Sequence, residues 1–436
     1  MYLSAASYLI CLYCIAIMIL FVVIFFVYIR FTQPFWSIQP VVHYYDIHYK
    51  YFYKNRQVIL TDLPVKNRFT NFFHIKTTHF DNLKEIELEE MTTLISQNYL
   101  RTKWSQYIPI KENITPYFAG HNANTFVSRY YIYNYNHNLE KQTRLIGVIT
   151  GRPINVYFSG KKTSHILTQY VDYLCVDKAF RKMNIAPQLI QTHVYNQRRD
   201  KDKDIPVSLF KREGELTNIV PLCVFYTYGY NINNTLTTDN NNKHIYKLVD
   251  VDKKNIYYLY NFFEENRYKY DCFICPEISN LISLIDTNNL FIKMLSIDLT
   301  IHSVYIFKRT KTYLNISESK ETNQEIVTCI ASITTELIST TDFINGFKDA
   351  VFSLSLLIPN IFLTIEEISD NNIIIKSLSK DALITPFLFE NAHSGACSSA
   401  KSNGSFNTQM CKTTNAYFFY NYIYKTINGK KVFIVI

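Results

Sequence analysis

Glycine and proline are scarce in this sequence, 10 and 12 of 436 residues, which excludes a collagen-like or proline-rich chain. Nine cysteines in a chain this long do not make a disulfide scaffold. Charged residues are few (19%) and apolar ones many (48%), so the composition is not that of a disordered protein. There is no second long apolar run, which excludes a multispan membrane protein. The eleven histidines show no metal-like or triad-like spacing, and no Ser or Cys sits in a nucleophile elbow. Cys272 and Cys275 form a CxxC, but no second pair or nearby His completes a zinc site, so no metal is expected. The net charge of +9 has no basic stripe, and nucleic acid is not an expected partner. Tryptophan is nearly absent (2) beside 35 Tyr and 31 Phe. An apolar ligand site or AT-rich codon usage would each give this bias, and the abundant Asn and Ile favour codon usage.

The single long apolar run lies at residues 5–29, without a charge, and Arg30 ends it. As a helix at 1.5 Å per residue it spans roughly 37 Å, enough for a hydrocarbon core of about 30 Å with some tilt. No basic leader and no small-residue cleavage site accompany it, so it reads as an uncleaved signal anchor rather than a signal peptide. Arg30, Lys50, Lys54 and Arg56 follow the run and no cation precedes it. The positive-inside rule then predicts a single-pass protein whose large carboxy-terminal part faces the cytosol.

The remainder alternates helical and strand patterns. Phe80 to Leu100 has helical spacing with Asp81 as a cap; Phe126–Tyr135 and Arg144–Tyr157 read as strands joined by the turn Asn136–Asn138. Ile166–Val176 is predicted as one strand and Phe180–Gln197 as a helix. The polar stretch 231–243 reads as a linker, and Ser394–Thr414 as a second loop-like insertion. After the linker, Ile256–Asn266 and Phe343–Leu357 read as helices. Val304–Phe307, Thr328–Ile333, Tyr417–Tyr424 and Lys431–Ile436 read as strands. The pattern is a mixed α/β chain of two similar halves around a joint near 231–245.

The most informative segment is Gln169 to Gln197. A strand ending at Leu174-Cys175-Val176 runs through a basic turn, Lys178 to Lys182, into a helix. Such a strand–turn–helix aims unsatisfied backbone N–H groups and a positive helix end at one spot, where Lys178, Arg181 and Lys182 add charge. An ordinary solvated helix start is the competing reading of this spacing.

LIGVITGRPINVYF followed by YLCVDKAFRKMNIAPQLI resembles the glycylpeptide N-tetradecanoyltransferase (N-myristoyltransferase) family of the GNAT superfamily. Further matches lie in the same order as in the family. Pro34-Phe35-Trp36-Ser37-Ile38-Gln39-Pro40-Val41 is similar to its FWxTQPV, Leu94 to Leu100 to its LLNENYV, and Tyr417 to Tyr422 to its YYLYNW. A terminal strand, Lys431 to Ile436, completes the set.

The resemblance implies an α/β (α+β) fold of tandem GNAT-like halves with pseudo-two-fold symmetry, a mixed sheet flanked by helices. The transmembrane anchor (1–30) precedes an acyl-CoA-binding half (31–240) and a peptide-binding half (241–436). It implies transfer of a tetradecanoyl group from tetradecanoyl-CoA, a co-substrate rather than a resident cofactor, to the amino-terminal glycine of a protein, by a monomeric acyltransferase. Backbone N–H groups of Tyr173 and Leu174 would form the oxyanion hole, and the Ile436 α-carboxylate would take the proton from the glycine ammonium. Phe35, Trp36, Tyr173, Leu174, Cys175, Val176, Arg181, Lys182, Ile185, Ala186 and Pro187 would bind the acyl-CoA. Asp172, Gly214 and Tyr420 would lie on the peptide side.

Departures from the family pattern concentrate on that peptide side. Asp172 stands for a usual Asn, Lys211 to Glu215 for Thr-Ala-Gly, Tyr226 to Tyr230 for RYWHR, and Cys411 to Thr413 for Gly-Asp-Gly. Two competing expectations follow: a membrane-tethered acyl-CoA-binding protein with impaired catalysis, and a GNAT-type N-acetyltransferase.

Overall fold

The computed structural model describes all residues except 1–4, 47–55, 101–104, 136–140, 160–163, 201–203, 215–216, 233–245, 315–323, 379–383, 387, 390–408 and 411. The predicted turn at 136–138 lies outside the described residues, as do most of the linker and of the 394–414 insertion. The flanking ends of those two segments are strand: Asn231 and Ile232 close one, and Lys412 to Thr414 open another.

The chain begins with helix α1 (Ala5–Thr32), apolar all round and unburied over its whole apolar window. A helix without a polar face cannot form the edge of a soluble core, so its length and composition suit a bilayer.

The body is a large mixed sheet flanked by helices. Strands β1 (Ile75–His79), β2 (Phe126–Tyr135) and β3 (Lys141–Phe158) form an antiparallel meander. β3 is long enough to serve two neighbourhoods. Its first half pairs with the short β5 (Leu174–Val176), its second half with β4 (Ser164–Val171) on one side. On the other side of that second half lies β9 (Cys272–Cys275). β4 continues in parallel to β6 (Ser208–Glu213), and the sheet then runs on through β14 (Lys412–Tyr420) to β7 (Cys223–Ile232). β7 leads to β13 (Ile361–Glu366), β12 (Gln324–Thr334), β11 (Thr300–Leu314), β10 (Leu290–Ile297) and β8 (Lys247–Asp250). The terminal strand β15 (Val432–Ile434) lies parallel to β9.

Helices α2 (Glu85–Asn98), α3 (Ile185–Arg198), α4 (Ile256–Asn266), α5 (Ile278–Asp286), α6 (Thr340–Leu357) and α7 (Asn371–Leu378) cover the sheet. Their apolar stripes meet β-branched and aromatic strand residues. One core gathers Met91, Leu94 and Ile95 of α2 against Val127, Val148 and Cys175, and another gathers Phe343, Phe347 and Leu354 of α6 against Tyr305 and Phe307.

Several boundaries differ from the sequence expectation. α2 starts at Glu85, because Phe80–Asn82 closes a 3-10 turn and Leu83 is extended. Asp81 therefore caps nothing; the Lys84 N–H instead donates to Glu87 Oε2 at 3.1 Å. α3 starts at Ile185 rather than Phe180. Asp177 accepts from Ala179 N and closes a separate 3-10 turn over Lys178–Phe180, and Lys182 and Asn184 take left-handed φ of 67° and 57°. The expected Tyr417–Tyr424 strand breaks at Asn421 (φ 64°), whose amide side chain clasps the backbone of Leu60 and Pro206. Cys272 and Cys275 are buried strand residues, and no metal-holding group occurs among the described residues.

Candidate active site

The predicted strand Ile166–Val176 is two strands, and the gap between them builds the site. Across β3, Tyr170 lies opposite Arg152 and Leu174 opposite Ile149. Three residues on one side therefore face two on the other, the signature of a β-bulge centred on Asp172 and Tyr173.

The bulge decides where each N–H points. Thr150 N–H donates to Tyr173 O at 3.0 Å and Asp177 N–H to Ile146 O at 2.8 Å. Antiparallel ladders alternate, so Leu174, one residue from Tyr173, sits at a non-hydrogen-bonded position and turns its N–H toward the open edge. Tyr173 points the other way: its N–H donates to Thr150 Oγ1 at 3.1 Å. Of the two expected oxyanion donors, Leu174 is presented outward and Tyr173 is held by a neighbour's hydroxyl.

That open edge forms one wall of a cavity of about 260 Å³, lined by Leu174, Cys175, Val176, Arg181 and Ala186 on one side and by Asn98, Tyr99 and Leu100 on the other. Arg181 joins the two sides. Its Nη2 donates to Asn98 O at 2.7 Å and its Nε to Val176 O at 3.3 Å. Asn98 in turn accepts from Lys178 N–H through Oδ1 at 3.0 Å. Two segments far apart in sequence thus meet.

Beyond Arg181, the N-cap of α3, Asn184, offers no side-chain bond, so the N–H groups of Ile185 and Ala186 are not satisfied by a cap. Pro187 has no N–H to satisfy, and no acidic residue occupies the first turn. Lys182 is exposed beside this end. The arrangement is competent for an anion. Cys175 packs in the core, and burial pushes its thiol up to about 12, so it is no nucleophile.

Behind the bulge stands an aromatic wall. Tyr173 and Tyr107 share a hydroxyl hydrogen bond of 2.8 Å, and Tyr99 packs edge-on against both. Asp172 is paired: Arg152 Nε donates to its Oδ2 at 2.9 Å, with the guanidinium wholly buried near the rings of Tyr117 and Tyr170. The acidic departure at 172 is thus matched by an arginine on the facing strand. Lys308 Nζ lies 4.9 Å from the Tyr117 ring centre, and burial pushes it down to about 8. Lys211 binds Glu366 at 2.7 Å and Glu213 at 3.6 Å; burial opposes its charge, but these carboxylates raise it.

The other expected residues are more dispersed. Phe35 is buried against Trp36 and Phe69, and Trp36 stacks on Phe210. Tyr420 lies in the same packing cluster as Trp36 and Phe210, and its hydroxyl donates to Gln39 Oε1 at 2.6 Å. Gly214 (φ 83°) is exposed past the end of β6, with open space beside its Cα among the described residues. Ile436 is buried with Ile154, Tyr170 and Tyr417. Since Ile434 lies opposite Ile274, and Ile274 opposite Val156, the chain end comes level with Ile154, two residues from Arg152.

Thr150, Arg152 and Lys308 escaped the sequence reading. The Asp beside the Leu174–Val176 strand was the one signal that a buried cation should face it; the contact of Thr150 with the Tyr173 N–H follows only from the register across the bulge.

Residues 65–223 match the family model "Myristoyl-CoA:protein N-myristoyltransferase, N-terminal domain". Two solved structures of Saccharomyces cerevisiae N-myristoyltransferase with bound myristoyl-CoA share the fold. One has a TM-score of 0.63 at 14% identity over 91% of this chain and 94% of that one, the other 0.64 at 14% over 92% and 94%. No curated protein matches by sequence.

Proposed function

We propose, from the N-myristoyltransferase fold and the family's N-terminal domain over residues 65–223, that this chain is an acyl-CoA-dependent acyltransferase. Its donor is tetradecanoyl-CoA and its acceptor the amino-terminal glycine of a protein. The observation that carries the reading is the cavity at which Asn98–Leu100, the open edge of Leu174–Val176 and Arg181 converge.

In this reading the CoA phosphates lie over Arg181, Lys182 and the first turn of α3, and the thioester carbonyl meets the Leu174 N–H. Tyr173 adds its N–H once the Thr150 hydroxyl rotates away. The glycine amine attacks the carbonyl carbon and the new N–C bond forms; as the C–S bond breaks, the nitrogen gives up its second proton to the leaving CoA sulfur, so that the amide and the CoA thiol are the products. Before attack the ammonium gives a proton to the Ile436 carboxylate. No covalent enzyme intermediate is involved. Residues 31–240 form the acyl-CoA-binding half and 241–436 the peptide-binding half, and the Arg152–Asp172 pair gives the acceptor side a neutral floor.

Helix α1 anchors the enzyme in a membrane through residues 5–29, with the catalytic part on the cytosolic side. Only five residues separate Ile29 from Phe35, so acyl transfer takes place close to the bilayer and acts on substrates already there.

The test supplies tetradecanoyl-CoA and a Gly-initiated peptide to the full chain, then to the chain with a few residues appended after Ile436. Transfer by the first and loss in the second is the expected result; equal activity removes Ile436 as the base. One observation favours a second reading, a donor-binding protein with weak catalysis: the Tyr173 N–H is already bonded to Thr150. Calorimetric binding of tetradecanoyl-CoA, with no transfer to any Gly-peptide, selects it.

A further inference from the structure

We infer that the catalytic body is seated on the lipid surface by a second, interfacial contact, made by Tyr44, Tyr45 and the loop 60–73. The inference rests on the reading of α1 as a membrane anchor.

The argument begins with depth. Residues 5–29 as a helix measure roughly 37 Å, about 7 Å more than a hydrocarbon core of about 30 Å. If all of that excess lies at the carboxy-terminal end, it covers about five residues, Phe25 to Ile29. If it lies at the other end, Phe25 is deeper still. Tyr45 packs edge-on against both Phe25 and Phe26, with ring centres 6.1 and 6.4 Å apart. It therefore sits at or below the headgroup level whichever way the helix slides. Its neighbour Tyr44 is 62% exposed, and Asp46 closes the turn that presents both, accepting from His43 N–H at 2.7 Å. Tyrosine, apolar in body and polar at the tip, is a residue that favours this depth.

The second element is joined to the same exit point. Arg68 Nη2 donates to Pro34 O at 3.4 Å, and Phe69 packs on Phe35 with ring centres 5.2 Å apart. The loop is fixed to α3 by Asn71, whose N–H donates to Thr192 Oγ1 at 2.9 Å and whose Nδ2 donates to Gln188 Oε1 at 2.7 Å. From this rigid base it exposes Leu63, Phe72, Val65 (83%) and Phe73 (73%). Lys66 and Arg68 lie on neighbouring rings, Lys66 over Phe72 and Arg68 over Phe69. Apolar tips flanked by the cations Lys66 and Arg68 suit an anionic bilayer interface. A protein partner would also cover apolar residues, but it would not explain why Tyr44 and Tyr45 are placed alongside a transmembrane segment.

The test uses the full chain in vesicles of phosphatidylcholine and phosphatidylserine whose acyl chains carry bromine near the headgroup end or near the bilayer centre. Tryptophan is introduced singly, as Tyr13→Trp, Tyr44→Trp, Phe73→Trp and Leu299→Trp, and the unchanged chain supplies the Trp36 and Trp104 baseline. Leu299, 99% exposed between β10 and β11, is the control. The expected result is quenching of Tyr13→Trp by the deep bromines and of Tyr44→Trp and Phe73→Trp by the shallow ones, with Leu299→Trp untouched. If Tyr13→Trp is quenched while Tyr44→Trp and Phe73→Trp behave like Leu299→Trp, the docking surface is overturned and the anchor stands. If Tyr13→Trp is not quenched, the anchor fails and the docking surface with it.

Discussion

Replacing Thr150 by Val tests whether the Tyr173 N–H serves the proposed acyl-CoA site. The two side chains have nearly the same shape, and Thr150 is wholly buried, so the change removes one acceptor and little else. In the unliganded protein the Tyr173 N–H loses Thr150 Oγ1 and is left without that partner inside the bulge. Leaving such a group unsatisfied costs about 1–3 kcal/mol, so the variant should unfold at a lower temperature than the parent. Tetradecanoyl-CoA reverses the order. In the proposed pose the thioester carbonyl has to displace the parent's Thr150 hydroxyl, and gains only the difference between two hydrogen bonds. In the variant it meets a donor with nothing to displace. The gain is about 1–2 kcal/mol, which is roughly five- to thirty-fold in affinity. Calorimetric titration with tetradecanoyl-CoA measures the affinity, and thermal melting with and without the donor measures the stability. An intact variant that binds tetradecanoyl-CoA no more tightly than the parent refutes the reasoning: the carbonyl then does not use the Tyr173 N–H.

Leu174→Pro deletes the outward N–H on an edge strand, where proline is tolerated; transfer should fall about 100- to 1,000-fold with donor binding largely kept, measured by single-turnover kinetics. Arg152→Met strands the Asp172 carboxylate in the core and should cost about 3–5 kcal/mol in denaturant unfolding; adding Asp172→Asn should restore much of it. For Lys308, burial lowers the folded value from 10.5 to about 8. Between those values the unfolded chain binds more protons, so stability should rise as pH increases from about 8 toward 10. Lys308→Met should flatten that rise in a melting-temperature series. Gly346→Ala places a methyl 2.3 Å from Leu295 Cδ1 and 2.8 Å from the Tyr305 hydroxyl. Such overpacking should destabilise by about 1–3 kcal/mol, read from the denaturation midpoint.

Periodicity in the sequence located Ile256–Asn266 without error and the helix of Phe343–Leu357 to within one turn, because their apolar stripes are regular and their flanks polar. It started the helices of Phe80–Leu100 and Phe180–Gln197 five residues too early, at 80 rather than 85 and at 180 rather than 185. There the apolar pattern runs through short 3-10 turns, and only backbone geometry at Leu83, Lys182 and Asn184 ends one element and starts the next. The motif fixes the place of Tyr420 in the chain but gives no sign that its hydroxyl bonds Gln39, 381 positions away. A motif fixes a residue in the chain, whereas its partner depends on which strand folds against it.

The sequence by itself determined the apolar helix at the amino terminus, the mixed α/β character, and the Leu174–Pro187 strand–turn–helix with its cations. Each is local, set by composition, periodicity or adjacent residues. Tertiary structure decided what depends on register and long-range pairing. A one-residue bulge turns the Leu174 N–H outward and the Tyr173 N–H to Thr150. Facing strands neutralise Asp172 with Arg152, and a parallel ladder beside Cys272–Cys275 carries the buried Ile436 level with Ile154. Those residues are brought together by hydrogen bonds between segments up to hundreds of positions apart, and no local pattern encodes which bonds form.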